Sequence, residues 1–479
     1  MPHPEPLSRA QRVLLIVLSA LVAPTRLVPL EKFPWDWDEI LFCMALHDYN
    51  MAAHQPHPPG FPLYVALCRV ARLFTETDFA ALQVVNVGAA IFYFPVAFWV
   101  ARAFRFDFRM SIWSALLFAF LPNVWFFGGC GFSDTLGLVL FLGAVAAFIR
   151  SRDDVSPRLY AIGSVLLALA ATVRPQVGLI IVFPWAIATF TLARAKRWKT
   201  IVTCAVLVTL FVGIVYGIAA YVTGINDYLH SLRAHSDYVK RADSADNPQR
   251  PPLHEVLRLQ LDPYLAGKVS LLVNLISLVA LIGGRRRTTA EVLLTFGPYF
   301  LFTTFALNAL GFSRLGLPWA MGTVLLTAEG TNVMASVARR LAARWLAPGP
   351  FVPRLELAFR VLVLAVLMGR FITWVLPAFD LPGNEPAPPT AAALWLRDHT
   401  DPKKTVIYMH ESMWPWARYY LEDYQLVHVY DDYAIQSEKD VRDDWFISAG
   451  GTCELRIQFL VPLDTLGRTS TREIGRAHV

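Results

Sequence analysis

The sequence has little charge. Asp, Glu, Lys and Arg make up 17% of its 479 residues, whereas hydrophobic residues make up 55%. A soluble globular domain carries about 25% charged residues, so this composition excludes an ordinary soluble protein. Apolar runs recur along most of the chain, which indicates a polytopic membrane protein. The net charge of +6 is small, and in a membrane protein it reflects loop placement and not nucleic-acid affinity.

Cysteine is also scarce. The five cysteines are scattered and include no C-x-x-C pair, which excludes a disulfide framework and a zinc-ribbon type of site. No internal repeat is apparent. The N-terminal apolar run lacks a small-residue cleavage site, so we expect it to remain as a first membrane span.

Apolar runs predict an all-α membrane module of about eleven transmembrane helices, although several runs are shorter than the ~20 residues that a lone span needs. The predicted spans are roughly 11–30, 80–100, 110–128, 134–149, 159–173, 177–193, 200–222, 265–283, 290–310, 315–331 and 355–377.

Arginine clusters orient these spans. With a cytoplasmic N-terminus, every short cytoplasmic loop is basic, as the positive-inside rule requires. The loop clusters are Arg102/Arg105/Arg109, Arg150/Arg152/Arg158, Arg194/Lys196/Arg197/Lys199, Arg285/Arg286/Arg287 and Arg339/Arg340/Arg344. This arrangement requires that the short segment 61–74, which contains Arg69 and Arg72, is an interfacial or re-entrant helix and not a span. The first loop and the C-terminal tail are then exoplasmic.

The composition predicts two domains and a foreign tail. Residues 1–380 form the transmembrane module, with its first exoplasmic loop at about 31–79. After the Pro-rich linker "LPGNEPAPPT", residues 381–472 alternate helix-like and strand-like patterns, which predicts a small exoplasmic α/β domain. The last residues, "EIGRAHV" at 473–479, resemble a translated sequencing adapter. We therefore expect the natural end of this domain to be missing.

Three acids follow the first predicted span: Asp36, Asp38 and Glu39. A carboxylate beside apolar surface has a raised proton affinity, so it can act as a general base towards an acceptor hydroxyl. The Asp36-x-Asp38 spacing also fits a divalent cation such as Mg²⁺ or Mn²⁺. The alternative is structural: Asp38 and Glu39 only cap the helix that follows, because acids near a helix N-terminus stabilise it.

The loop continues with "HQPHPPG", which contains His54, His57, Pro58, Pro59 and Gly60. The prolines and glycine predict a stiff turn where the chain re-enters the bilayer. A histidine at this depth can carry a proton or bind a phosphate. The alternative is that both histidines are ordinary polar groups of the interface.

The Asp38-Glu39 pair followed by His57-Pro58-Pro59-Gly60 resembles the first exoplasmic loop of GT-C glycosyltransferases. The similarity is greatest to protein O-mannosyltransferases and related bacterial enzymes that use polyprenyl-phosphate sugars. The resemblance implies an inverting hexosyltransferase in which Asp38 is catalytic and the His-Pro-Pro turn shapes the site. It also implies a bacterial cytoplasmic membrane location. The sequence departs from the mannosyltransferase pattern at Asn50, where those proteins tend to have Asp, so neither the sugar nor the acceptor (lipid, glycan or protein) carries over.

Two arginines lie where the positive-inside rule disfavours them. Arg174 in "ATVRPQVG" and Arg314 in "LGFSRLGLP" fall in short predicted exoplasmic loops. A buried or interfacial arginine is costly and usually functional, and its fork suits a phosphate, here that of the donor lipid. The alternative is snorkelling to lipid headgroups. Asp134 in "GCGFSDT" is predicted on the same side, where it would pair with an arginine or bind sugar hydroxyls.

Two other functions remain open at this point. A transporter or flippase of lipid-linked glycans would carry ionisable groups at mid-membrane in broken helices and repeated halves. The acids here cluster instead in one surface loop, which favours the enzyme. A non-catalytic membrane scaffold would leave these acids without a role.

Overall fold

The chain is described here from a computed structural model. The structure describes residues 5–248, 250–262, 268–308, 312–345, 351–378, 385–410 and 413–429. The C-terminal segment from residue 430, including the predicted adapter-like residues 473–479, lies outside this part of the chain.

Helices dominate the described residues. The helices up to residue 261 are α1 (Arg9–Val22), α2 (Trp37–His47), α3 (Pro62–Arg72), α4 (Asp78–Ala90), α5 (Tyr93–Ala103), α6 (Phe108–Ala119), α7 (Pro122–Phe127), α8 (Asp134–Asp154), α9 (Pro157–Val173), α10 (Val182–Arg194), α11 (Trp198–Thr223), α12 (Ile225–Ala242) and α13 (Leu253–Leu261). The later elements are α14 (Lys268–Gly283), α15 (Arg286–Phe305), α16 (Phe312–Leu315), α17 (Leu317–Trp345), α18 (Phe351–Arg370), α19 (Leu376–Ala378), α20 (Pro388–His399), β1 (Val406–His410), α21 (Trp414–Tyr420) and β2 (Gln425–Val429). Short 3₁₀ segments at Ala23–Leu27 and Pro175–Ile181 extend α1 and precede α10.

Five helical segments among the described residues are long and apolar enough to cross a bilayer: Arg9–Leu27, Asp78–Ala103, Asp134–Asp154, Pro175–Arg194 and Trp198–Thr223. Three shorter helices are also apolar: Phe108–Ala119, Pro157–Val173 and Ser270–Gly283. The chain is therefore a multi-pass membrane protein, as predicted. The exact number of crossings stays a prediction.

Local sequence explains where several helices begin and end. Ser8 and Gln11 form a reciprocal capping box at the start of α1, and Thr77 and Asp107 cap α4 and α6 through their side chains. The predicted span 110–128 is interrupted before Pro122, because proline cannot continue the hydrogen-bonded helix that precedes it. The predicted interfacial segment 61–74 forms only α3, which is too short to cross a membrane.

The chain divides into two compact units. The first unit comprises Met1–Leu30 and Asp48–Asp380, and the second comprises Glu31–His47 and Leu381–Val479. The core of the first unit is built from buried aromatic and small residues of α5, α6, α8, α15 and α17. Small residues let the helices approach closely, as is typical where lipid supplies no hydrophobic drive for helix association.

The second unit packs helices on a two-stranded parallel sheet. Strand β1 pairs with β2 in a register that places Val406 opposite Gln425. Buried residues of α20, β1 and α21 form a small core. Helix α2 packs on α21, where the rings of Trp37 and Trp416 meet edge to face with their centroids 6.2 Å apart. The described part thus contains both helix and strand; the predicted limits of the C-terminal domain stay a prediction.

Candidate functional site

Arg174 is buried in the first unit, with 5% of its surface exposed. It ends α9, because the following Pro175 restricts the backbone of its predecessor to non-helical conformations. Its Nε lies 3.0 Å from Oδ1 of Asp134, and its Nη1 donates a hydrogen bond of 3.0 Å to the hydroxyl of Ser133. Two side chains of one segment therefore fix the orientation of the guanidinium.

Asp134 begins α8 and is 5% exposed. A carboxylate in the first turn of a helix is stabilised by the positive end of the helix dipole. While Oδ1 faces Arg174, Oδ2 makes no hydrogen bond to any of the described residues. The predicted pairing of Asp134 with an arginine is thus present, and one carboxylate oxygen keeps an acceptor function.

Arg314 lies next to the same segment. Its guanidinium carbon sits 4.5 Å from the ring centroid of Phe132, a cation–π contact. The guanidinium of Arg174 is similarly placed over the ring of Phe61, at 5.8 Å. The buried hydroxyl of Tyr299 in α15 interacts electrostatically with Arg174, Asp134 and Arg314. Both predicted arginines therefore belong to one local group of charges.

The turn at "HPPG" is held by its own backbone and by Tyr49. The N–H of Gly60 donates to the carbonyl of His57 at 3.0 Å, and the buried Tyr49 hydroxyl donates to the Gly60 carbonyl at 3.0 Å. Burial raises the pKa of the Tyr49 hydroxyl, which keeps this donor protonated. Gly60 has a φ of +96°, a conformation that side chains disfavour. Pro58–Pro59 and Gln55–Pro56 are cis peptides.

His57 connects this turn to two neighbours. Its ring meets that of Phe61 edge to face at 4.9 Å and lies 5.9 Å from the ring of His235 in α12. His57 is half-buried, whereas His54 is exposed. Phe61 thus contacts both His57 and Arg174, so the structure brings the His-Pro-Pro-Gly turn and the predicted phosphate-binding arginine together.

We call His57, Phe61, Phe132, Ser133, Asp134, Arg174 and Arg314 the arginine cluster. Four of its members are predicted from sequence and three are not. Phe61, Phe132 and Ser133 connect the others but carry no signal of their own in the sequence, since phenylalanine and serine are common in membrane helices. His235 and Tyr299 also neighbour this group, and sequence reasoning assigned no role to either of them.

The acids of the second unit surround the start of α2. The Glu39 carboxylate accepts hydrogen bonds from the backbone N–H groups of Trp35 and Asp36, at 2.8 and 3.1 Å, and is fully buried. Oδ1 of Asp36 accepts from the N–H of Asp38 at 2.9 Å. Asp36 and Glu39 therefore cap α2, whereas the structural alternative named Asp38 and Glu39. Asp38 is partly exposed in the first turn.

No protein-family model matches the chain, and none of the curated proteins is significantly similar to it. Solved structures do match. ArnT from Cupriavidus metallidurans bound to undecaprenyl phosphate has a TM-score of 0.58 and 13% sequence identity, over 88% of this chain and 86% of that one. The apo form of the same protein has a TM-score of 0.57 and 14% identity, over 87% and 85%.

The chain has the GT-C fold. The match extends over most of both chains, so it is not confined to the short stretch from Asp38 to Gly60 that carries the sequence resemblance. The predicted GT-C architecture, an all-α polytopic membrane protein, is confirmed. At 13% identity the match concerns the fold alone. The activity must be argued from the site.

Proposed function

We propose that this GT-C protein is a glycosyltransferase that moves one sugar from a polyprenyl-phosphate-linked donor to an acceptor on the exoplasmic face of the membrane. The GT-C fold supports this assignment, and one structure that shares the fold holds undecaprenyl phosphate. The predicted topology supports the side of the reaction, because it places the arginine cluster and the first loop outside.

The observation that carries the proposal is the buried, oriented guanidinium of Arg174. Desolvation makes an arginine inside a membrane protein costly, and such residues commonly serve a ligand. Arg174 pairs with Asp134, and Arg314 lies over Phe132 in the segment that leads to Asp134, so two guanidinium groups belong to one local group. A guanidinium fork matches phosphate geometry, and a fixed one binds without a further loss of side-chain entropy.

The proposed chemistry is a single displacement at the anomeric carbon. The acceptor oxygen forms a bond to this carbon while the bond to the phosphate oxygen breaks, and polyprenyl phosphate leaves. Asp38 takes the proton of the acceptor hydroxyl as general base. Arg174 and Arg314 stabilise the negative charge that develops on the leaving phosphate. The inverting course follows from the family resemblance.

The remaining predicted residues receive supporting roles. Glu39 and Asp36 hold the segment that carries Asp38, through their hydrogen bonds at the start of α2. The turn of Pro58, Pro59 and Gly60 positions His57, which lines the phosphate site. A divalent cation, if one is used, would bind Asp36 and Asp38, since Mg²⁺ and Mn²⁺ prefer carboxylate oxygens.

A release assay tests this function. Purified protein is incubated with a panel of polyprenyl-phosphate sugars and cell-envelope extract, and free polyprenyl phosphate is measured. The wild type should release it from at least one donor, and Asp38→Asn should not. Asp48→Asn is the matched control, because Asp48 is an exposed acid of the same loop outside the proposed site.

Three results would overturn parts of the proposal. No release from any donor by folded wild type would favour a transporter or a scaffold. Equal release by Asp38→Asn would keep the enzyme but remove Asp38 from its centre. Loss of release in Asp48→Asn would show that the loop tolerates no change of charge, so that the Asp38 result would carry no mechanistic weight.

A further inference from the structure

A second group of arginines lines an open cavity of about 640 Å³ in the first unit. The cavity shares no residue with the arginine cluster. Its charged lining consists of Arg105, Arg152, Asp153, Arg194 and Arg287. All four arginines come from loops or helix ends that the positive-inside rule predicts to be cytoplasmic.

The floor of the cavity is a buried ion-pair network. Arg105 contacts Asp153 at 2.9 Å and Glu291 at 2.6 Å. Arg152 contacts the same two acids, at 2.7 and 2.9 Å. Both guanidinium groups are thus held by two carboxylates each, which fixes the floor and orients its remaining N–H groups.

The rim of the cavity carries the charge that this network does not balance. Arg287 is 62% exposed and reaches the same acids, at 3.0 Å from Glu291 and 3.8 Å from Asp153. Arg194 is exposed and lies over the ring of Phe190 at 5.7 Å; among the described residues it pairs with no carboxylate. Four arginines therefore face two carboxylates, an excess of two positive charges.

The wall of the cavity is apolar. It consists of Val155, Ile187, Phe190 and Ala195, together with Thr191, whose hydroxyl donates to the Ile187 carbonyl. Val155 and Phe190 are 41% and 57% exposed. A small soluble anion would neutralise the rim but leave this wall in water. A ligand that joins an anionic group to a hydrocarbon chain satisfies both surfaces, because it pairs the charge and buries the apolar area.

We propose that this cavity binds the headgroup of an anionic phospholipid of the cytoplasmic leaflet. The phosphate lies at the rim between Arg194 and Arg287, and an acyl chain follows Phe190 and Ile187. Basic pockets at the cytoplasmic ends of membrane helices have the charge and location that such headgroups require. The site anchors the four basic loops to one lipid and does not depend on the proposed transferase activity.

Lipid titration of the purified full-length protein in neutral detergent tests this site. Binding of phosphatidylglycerol is measured by native mass spectrometry and compared with phosphatidylcholine of the same acyl chains and with soluble glycerol 3-phosphate. The variants are Arg194→Gln, Arg287→Gln and the double variant, all at exposed positions. Arg158→Gln is the control, since Arg158 is an exposed arginine of the same basic loop as Arg152 but does not itself line the cavity.

Phosphatidylglycerol should bind roughly tenfold or more tightly than phosphatidylcholine, and each glutamine substitution should weaken it by about fivefold, as expected for one arginine near an anionic headgroup. The control should bind as the wild type does. Equal affinity for the two lipids, or unchanged affinity in the double variant, would overturn the proposal. Glycerol 3-phosphate binding as tightly as the lipid would overturn the assignment to a lipid.

Discussion

The Nε atom of Arg174 lies 3.0 Å from Oδ1 of Asp134, and both side chains are almost fully buried. The pair joins the end of α9 to the beginning of α8, and its guanidinium also faces Ser133 and Phe61. Two roles follow from this geometry. The pair contributes to folding by satisfying two buried charges, and it presents a fixed arginine to an anionic ligand.

The folding role can be separated from the ligand role with a double variant. Arg174→Gln should lower the free energy of unfolding by about 3–5 kcal/mol, because it leaves Asp134 as an uncompensated buried charge. Adding Asp134→Asn removes that charge and should restore most of the stability. Thermal unfolding of the three proteins in one detergent measures this. A double variant no more stable than Arg174→Gln would contradict the account of the pair.

Gly137 gives a steric test of the same arginine. A Cβ atom at Gly137 would lie 2.9 Å from Cβ of Arg174, so Gly137→Ala should displace the arginine without changing any charge. We expect weaker binding of polyprenyl phosphate, by roughly tenfold, since a small misplacement of a positioned group has large effects. The control is Gly213→Ala, because Gly213 has open space around it. Binding equal to that of the control would show that the position of Arg174 is not critical.

Gly60 should not tolerate a side chain. Its φ is +96°, and an added Cβ would collide with Tyr49 Oη and with Met51 Sδ, the latter at 2.6 Å. Gly60→Ala should therefore destabilise the protein by more than about 1 kcal/mol. Gly88→Ala, in the last turn of α4 with open space around it, should be neutral or stabilising by about 0.5–1 kcal/mol. Similar melting temperatures for the two variants would contradict this reading of the turn.

Substitutions at Glu39 and Asp38 should have different effects, the first on stability and the second on activity. Glu39→Ala removes the acceptor of two backbone N–H groups and should cost about 1–3 kcal/mol of stability. Asp38→Asn should leave the melting temperature almost unchanged and abolish sugar transfer. Parallel melting curves and release assays compare them. An Asp38→Asn variant that stays active but melts at a lower temperature would contradict this account. Asp38 would then have the structural role, and Glu39 would be the catalytic candidate.

The predicted cation at Asp36 and Asp38 has a direct test. If the two carboxylates bind Mg²⁺ or Mn²⁺, EDTA should abolish release of polyprenyl phosphate, and either cation should restore it. Asp36→Asn should then raise the cation concentration needed for half-maximal activity by about tenfold, with little change at saturation. Full activity in EDTA would remove the cation from the mechanism and leave Asp36 with its capping role.

Much of the fold was accessible from the sequence because membrane insertion imposes strong rules. Apolar runs marked the helices, and arginine distribution exposed Arg174 and Arg314 as exceptions. The same rules do not predict which side chains contact one another in the folded protein. Nothing in the sequence showed that Phe61, four residues after His57, would also contact Arg174, because Arg174 lies far along the chain and meets Phe61 only through helix packing.

Two further features were beyond sequence reasoning. The acids Asp36, Asp38 and Glu39 fitted both capping and catalysis, and the structure was needed to show that Glu39 is buried against backbone amides. Arg26 was missed entirely. It is fully buried beyond α1 and donates to the carbonyl of Ala119 at 2.7 Å, whereas its Nε and Nη1 find no hydrogen-bond partner among the described residues. The sequence analysis assigned no role to this arginine, which lies inside the predicted first span.

Binding of a polyprenyl phosphate tests the central claim most directly. Affinity is measured for wild type and for Arg174→Gln/Asp134→Asn, whose fold is checked by its melting temperature. The wild type should bind the lipid phosphate, and the double variant should bind at least roughly 30-fold more weakly, because a charge-assisted arginine–phosphate pair contributes about 2 kcal/mol or more. Equal affinity in a folded double variant would contradict the assignment of the arginine cluster as the donor phosphate site.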